Sequence, residues 1–334
     1  MQYSEKLAIT KEAVMLFKGL MVTRVMPSFY IFVMLISLPL NALALVTFTC
    51  KIRVKKPAVI FMSHLACVDL LFTLLLPLKI HYQLNASDWV FGEVACRLLS
   101  VAYYCNIYCS ILLMMCISVD RLLAVAFPIA SLTWRSPRKA TCVCVLVWLL
   151  ALAGMVPTLL ARQTANVKNV GVTCFDVLQR HGFSMQFYLY FFTIIPCIYF
   201  FLPLVVILVS YSIIIYVLCV KPTHLTTSSS PHKERRAVIM ATAVLIEFVM
   251  CFAPSNGILL YRCIHLNTGG TKAVDTHAAY LLAVCLGSSS VFLDPLLYYY
   301  GSSQYRQQIS SVFWGRKAER AKPQSSTNTQ TAAL

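Results

Sequence analysis

The chain has 334 residues, 59% of them hydrophobic and only 12% charged, with a mean hydropathy of +0.74. Soluble domains carry about 25% charged residues, so a soluble globular protein is excluded and the composition belongs in a membrane. A net charge of +16 would suit nucleic acid, but it lies in the breaks between apolar runs, which points to membrane lipids and a protein partner, with no nucleic acid.

Residues 1–26 carry Lys6, Lys11, Lys18 and Arg24, which interrupt every apolar run and leave no cleavable signal pattern. Hydropathy and punctuation then give seven candidate spans, at 27–50, 57–83, 93–127, 138–160, 187–219, 235–265 and 273–300. The expected fold is an all-α membrane protein, a seven-transmembrane helix bundle, with the first span as an uncleaved signal anchor. Lys51–Lys56, Trp134–Lys139, Lys221–Arg236 and the tail after Gly301 break the runs on one side. Asn85–Glu93, Arg162–Gly182 and His265–Lys272 break them on the other. Sixteen of the 28 Lys and Arg fall in the first set and the tail, against Arg162, Lys168, Arg180 and Lys272 in the second. That bias puts the first set in the cytoplasm and the N-terminus outside. Three regions follow: 1–26 as an extracellular N-terminus or the end of a longer exodomain, 27–300 as the seven-transmembrane domain, and 301–334 as an amphipathic helix and cytoplasmic tail. Ser302–Trp314 reads as that helix, lying on the inner leaflet with Tyr305, Ile309, Val312 and Phe313 on its apolar side.

Twelve of the 14 cysteines lie in or at the ends of spans, where a thiol behaves as a small apolar group. Cys96 and Cys174 are exterior, and they are the expected disulfide. Asn85-Ala86-Ser87 is a glycosylation sequon in the first exterior loop. Span three joins the two faces. From Cys96 to Arg121 is about 37 Å of helix, more than a hydrocarbon core of ~30 Å, so its inner end presents Asp120-Arg121-Leu122 at the membrane face. An ionisable pair there is expensive and by default functional.

Other spans carry polar groups that a plain anchor would avoid: Asn41, Asp69, Asn106, Ser110, Ser288, Ser289, Ser290 and Asp294. Buried carboxylates need partners. Asp69 and Asp294, with Asn41, Ser110 and Ser290, form an expected polar chamber for a sodium ion and water, since oxygen ligands suit a hard cation. No other cofactor is expected. Pro77, Pro157, Pro203, Pro254 and Pro295 permit kinks. Tyr211 and Tyr298 follow two of them and place their hydroxyls near the cytoplasmic ends.

Taken in order, Asn41, Leu65-Ala66-Cys67-Val68-Asp69, Cys96 with Asp120-Arg121-Leu122, Trp148, Pro203, Cys251-Phe252-Ala253-Pro254 and Asp294-Pro295-Leu296-Leu297-Tyr298 resemble the rhodopsin-type G-protein-coupled receptors. The likeness runs from about Pro27 to Phe313. Finer strings resemble the protease-activated (thrombin-type) branch: Val54-Lys55-Lys56-Pro57-Ala58-Val59, Asp88-Trp89-Val90-Phe91-Gly92-Glu93, Tyr108-Cys109-Ser110-Ile111-Leu112, Thr173-Cys174-Phe175-Asp176-Val177-Leu178 and Pro254-Ser255-Asn256. The resemblance implies a plasma-membrane receptor whose exodomain is cut by an extracellular serine protease, the new N-terminus acting as a tethered peptide agonist. It places Asp176 and Tyr280 at agonist-contacting positions, with Phe175 and Tyr261 beside them.

Several residues depart from that family. Phe175 stands where its loop string carries His, and Gln179-Arg180 where an acid is common, which favours an acidic or apolar agonist side chain. Cys263 stands near an outer position in span six that is usually aromatic, with Tyr261 two residues earlier. Residues 1–26 are shorter than the family's exodomain; a cut after Lys6 would expose Leu7-Ala8-Ile9-Thr10. A diffusible peptide, nucleotide or lipid agonist is the alternative.

On the inner face the resemblance implies a heterotrimeric G protein and arrestin as partners. Arg121 is expected to pair at rest with Asp120, and with Glu234 at the foot of span six. Agonist swings that foot outward about Pro254, and Arg121, Tyr211 and Tyr298 line the opening. Ser325, Ser326, Thr327, Thr329 and Thr331 are expected kinase sites for arrestin. No Ser/His/Asp set, metal spacing or phosphate loop points to an enzyme. A transporter would show an internal repeat or paired broken helices, and the sequence has neither.

Overall fold

The computed structural model describes residues 18–53, 55–160, 162–167, 169–174, 194–220, 231–267 and 273–320. Seven of its helices are long and apolar enough to cross a membrane: Met21–Lys51, Pro57–Leu84, Gly92–Ala126, Pro137–Leu160, Ile194–Leu218, Val238–Tyr261 and Ala278–Gly301. A helix satisfies its own backbone, as a hydrocarbon interior demands. Leu149, Val205, Val249 and Met250 stand exposed on outward faces, where lipid replaces water. Span three packs on spans two, four and five, and its residues Ser110, Ile111, Leu113 and Met114 are fully enclosed. The lower half of span seven packs against spans one, two and six.

Proline accounts for some of the places where the helices deviate, while Pro39, Pro77 and Pro157 lie inside unbroken helices. Pro27 has no N–H for the Thr23 carbonyl, yet span one begins ahead of it, through a widened π turn at Met21–Val25. Similar turns at Cys197–Phe201 and Phe248–Phe252 precede Pro203 and Pro254. Span seven was expected to kink at Pro295, but it breaks earlier, between helices Ala273–Gly287 and Ser290–Gly301. The reason is local. Pro295 cannot donate to the Val291 carbonyl, and Asn41 Nδ2 supplies that bond from span one at 2.6 Å. The helix therefore survives its proline. Upstream, the Ser288 and Ser289 hydroxyls donate to the Val284 and Leu286 carbonyls and compete with the ladder.

Beyond span seven, Ser303–Arg320 forms the terminal helix. Tyr305 is buried against Phe48 (ring centroids 5.0 Å) and Tyr298 (6.4 Å), and Ile309 packs on the same cluster. The side chains of Val312 and Phe313 lie outside those described. A short helix, Pro128–Trp134, follows span three.

A two-stranded antiparallel hairpin, which the sequence reading did not anticipate, pairs β1 (Thr164–Val167) with β2 (Gly171–Cys174), Thr164 opposite Cys174. Gly171, at φ +123°, makes the turn that a side chain would strain. Several ties hold the hairpin over the end of span three, among them a bond from the Trp89 N–H to the Val172 carbonyl at 2.6 Å. Cys174 is bonded to Cys96 with Cα atoms 5.7 Å apart, so the expected disulfide is present. Glu93 accepts from the backbone N–H of Gln163 (2.9 Å) and of Thr164 (3.0 Å). Asp88 accepts from the Val172 N–H at 2.9 Å.

Candidate functional site

At the inner end of span three the expected Asp120–Arg121 pair is not formed. Arg135, just past the short helix, takes both carboxylate oxygens of Asp120, Nε to Oδ1 at 2.7 Å and Nη2 to Oδ2 at 2.8 Å. A planar guanidinium matches a carboxylate in this way, and consecutive helix residues do not face one another. Arg121 turns inward instead. Its Nη2 donates to the carbonyl of Gly301, an end-of-helix oxygen with no partner in its own ladder. A Cβ at Gly301 would collide with the Met62 and Met240 methyls, so glycine keeps this end of span seven packed on spans two and six. Tyr211 is buried beside Arg121 and Ser118. Pro254 follows the Phe248–Phe252 turn, whose two end rings meet edge to face at 5.6 Å. Glu234 belongs to the helix Pro231–Glu247, but its side chain lies outside those described.

Tyr298, expected near the cytoplasmic end of span seven and lining the opening once agonist swings span six outward, sits in this packing in the bundle interior. Its hydroxyl lies 3.2 Å from Asp69 Oδ2 and 3.3 Å from Asn41 Oδ1, and its one proton is shared between them. Placement three residues after Pro295 put it at the correct helix level, but the ring turns upward, where Phe48 and Tyr305 close beneath it. Asp69 also accepts from Asn106 Nδ2 at 2.9 Å, so both its oxygens are bonded. Asp294 is different. It is fully buried, no N–H or O–H donor among the described residues reaches either oxygen, and the carboxyls of Asp69 and Glu247 face it. The hydroxyls of Ser110 and Ser290 are also buried without a hydrogen bond. Ser110 lies one turn below Asn106 on span three, and Ser290 one turn above Asp294 on span seven, so each shares the face that meets the acids. Four open oxygens on the expected residues make an all-oxygen set that fits a hard cation.

At the outer end Tyr280 is buried, and its hydroxyl shares a hydrogen bond with Tyr104 at 3.3 Å. The two line a cavity with Tyr108, Ser255, Asn256 and Leu259. A second cavity is lined by Tyr30, Phe72, Lys79, Ser100 and Tyr103. Tyr261 is 53% exposed and lines neither. Phe175 and Asp176 lie outside the described residues. Asn85 is exposed at the end of span two, its Nδ2 donating to the Asp88 carbonyl at 3.2 Å.

Sequence reasoning missed Arg135, Lys79 and Glu247. Arg135 was counted only as a cytoplasmic charge. Glu247 had the clearest signal, a lone acid inside Ala243-Val244-Leu245-Ile246-Glu247-Phe248 at membrane depth.

The chain matches the family model described as 7 transmembrane receptor (rhodopsin family) over residues 40–298. It is 42% identical to Proteinase-activated receptor 1 of Homo sapiens over 292 residues, 87% of this chain and 67% of that receptor. Its identity to Proteinase-activated receptor 1 of Xenopus laevis is 38% over 320 residues, 96% of this chain and 73% of that receptor. The S-geranylgeranyl-glutathione receptor P2RY8 of Homo sapiens is 34% identical over 297 residues, 88% and 81% of the two chains. The chain therefore spans about two thirds of the length of the human proteinase-activated relative.

Proposed function

Because the chain belongs to the rhodopsin family of seven-transmembrane receptors, on its proteinase-activated branch, we propose that an extracellular serine protease switches it on by exposing a tethered peptide agonist. The chain is a multi-pass membrane receptor, not an enzyme, and it couples to heterotrimeric G proteins.

The N-terminus lies outside and the membrane is the plasma membrane. The Lys and Arg bias toward one set of breaks supports this, as does the disulfide on the opposite side. Agonist contacts Asp176, Phe175, Tyr261 and Tyr280, a reading supported by the short tether from Cys174 to Asp176 and by the cavity beside Tyr280. The signal reaches Asp120, Arg121, Tyr211, Glu234 and Tyr298 through span six turning about Pro254, where the ladder is already widened. Arrestin reads the tail, Ser303–Arg320 lies on inner-leaflet lipid, and Asn85 carries a sugar.

Asn41, Asp69, Ser110, Ser290 and Asp294 hold a sodium ion, supported by the four buried oxygens that lack donors. When bound, the ion supplies the positive charge that buried Asp294 otherwise lacks. The residues themselves hold spans one, two, three and seven in the resting packing, through the Asn106–Asp69–Tyr298–Asn41 bonds.

The observation that carries the protease reading is the 42% identity to proteinase-activated receptors along 87% of the chain, which favours it over a diffusible agonist. Thrombin and trypsin applied to cells expressing the full transcript should each be tested for a calcium rise. Silence from both, with surface receptor counted, would sink the protease reading.

A further inference from the structure

Glu247 lies on span six, 2% exposed, outside every role assigned so far. Its Oε1 has no hydrogen-bond partner, and its carboxyl faces that of Asp294 on span seven. Two facing carboxylates in a dry interior repel unless a shared proton or another cation lies between them. Asp69 also faces Asp294, and the single bonds from Asn106 and Tyr298 leave a second lone pair on each of its oxygens. The open oxygens are those of Asp294, Glu247, Ser290 and Ser110.

We propose that Glu247 is a ligand of the chamber's sodium ion, which is seated between the facing carboxylates of Asp294 and Glu247. This rests on the sodium reading above and adds to it a ligand from span six, so that the seat reaches the contact between spans six and seven. The consequence is mechanical. Glu247 stands at the head of the Phe248–Phe252 turn, below Pro254, on the segment that must swing when the G-protein opening forms. An ion held there ties span six to span seven, and that tie opposes the swing. All-oxygen coordination with two carboxylates suits a small hard cation.

The test is the thermal midpoint of purified receptor, titrated with sodium chloride against choline chloride at constant ionic strength. A ligand that binds the folded state raises the midpoint with its concentration. For the unsubstituted receptor the midpoint should rise with sodium, and Glu247→Gln should shift the half-effect concentration upward about tenfold or more. Glu247→Asp, which keeps the charge on a shorter stem, should shift it less and serves if the Gln variant cannot be purified. A half-effect concentration unchanged in Glu247→Gln, or in Glu247→Asp where that variant stands in, but lost in Asp294→Asn overturns the role of Glu247 and leaves the chamber reading intact. No sodium effect on the unsubstituted receptor overturns both.

Discussion

Arg135 grips Asp120 through two parallel hydrogen bonds of 2.7 and 2.8 Å, and Arg121, next in sequence to that carboxylate, bonds instead to the Gly301 carbonyl. The ionic contact at the foot of span three thus runs to the following loop, and Arg121 ties span three to span seven. In this packing Arg121 is half-buried and its Nε has no hydrogen-bond partner among the described residues, so the guanidinium stays directed into the bundle through its bond to Gly301.

Arg135→Ala should remove both bonds to a carboxylate that is 5% exposed. Hydrogen bonds to charged groups contribute roughly 1.5–3 kcal/mol each, and the orphaned carboxylate adds a desolvation cost. A lowered thermal midpoint of the purified receptor is expected. An unchanged midpoint would mean that the pair contributes nothing.

Asn41 and Pro295 should be coupled. Asn41→Ala leaves the Val291 carbonyl buried without a donor, at a cost of about 1–3 kcal/mol. Pro295→Ala gives the backbone a new N–H for that same carbonyl. A double-mutant cycle should show that the asparagine change costs less in the alanine background. Strict additivity would show that the 2.6 Å bond does not compensate for the proline.

Tyr298→Phe should destabilise the resting bundle. The hydroxyl is fully buried between Asp69 and Asn41, and without it Asp69 Oδ2 loses its donor. A loss of about 1–3 kcal/mol is expected, read as a lower midpoint together with raised basal nucleotide exchange. Neither change would argue that the hydroxyl faces the cytoplasm, as its place in the sequence suggested.

Much of this was legible in the chain. Spans and disulfide follow from hydropathy and from the two cysteines set apart from the apolar runs, because lipid leaves few alternatives for a backbone. The inner-face partners were harder. Spacing put Asp120 beside Arg121, but which guanidinium fits the carboxylate depends on how the loop after Phe127 folds back. Tyr298 was misplaced for a similar reason, since helix level is set by sequence and rotamer by packing. Glu247 was passed over although its signal was local, because its apolar neighbours made the run read as plain span. The hairpin escaped because its strands are four residues each and are held by Glu93, Asp88 and Cys96 from outside the segment.

Removing the disulfide, with Cys96→Ala and Cys174→Ala together, should free the hairpin and the segment that follows it. A cross-link of 78-residue separation contributes about 4.5 kcal/mol in the loop-entropy account. Agonist potency is expected to fall while surface receptor persists at reduced level. Unaltered potency would remove the hairpin from agonist docking.

The most direct test of the account is guanine-nucleotide exchange on a purified heterotrimer by receptor in lipid nanodiscs, expressed from the full transcript. Trypsin or thrombin treatment should raise the exchange rate of the unsubstituted receptor, and Arg121→Ala should abolish the rise while the protein remains folded. Exchange that is the same with and without protease in both proteins would contradict the account.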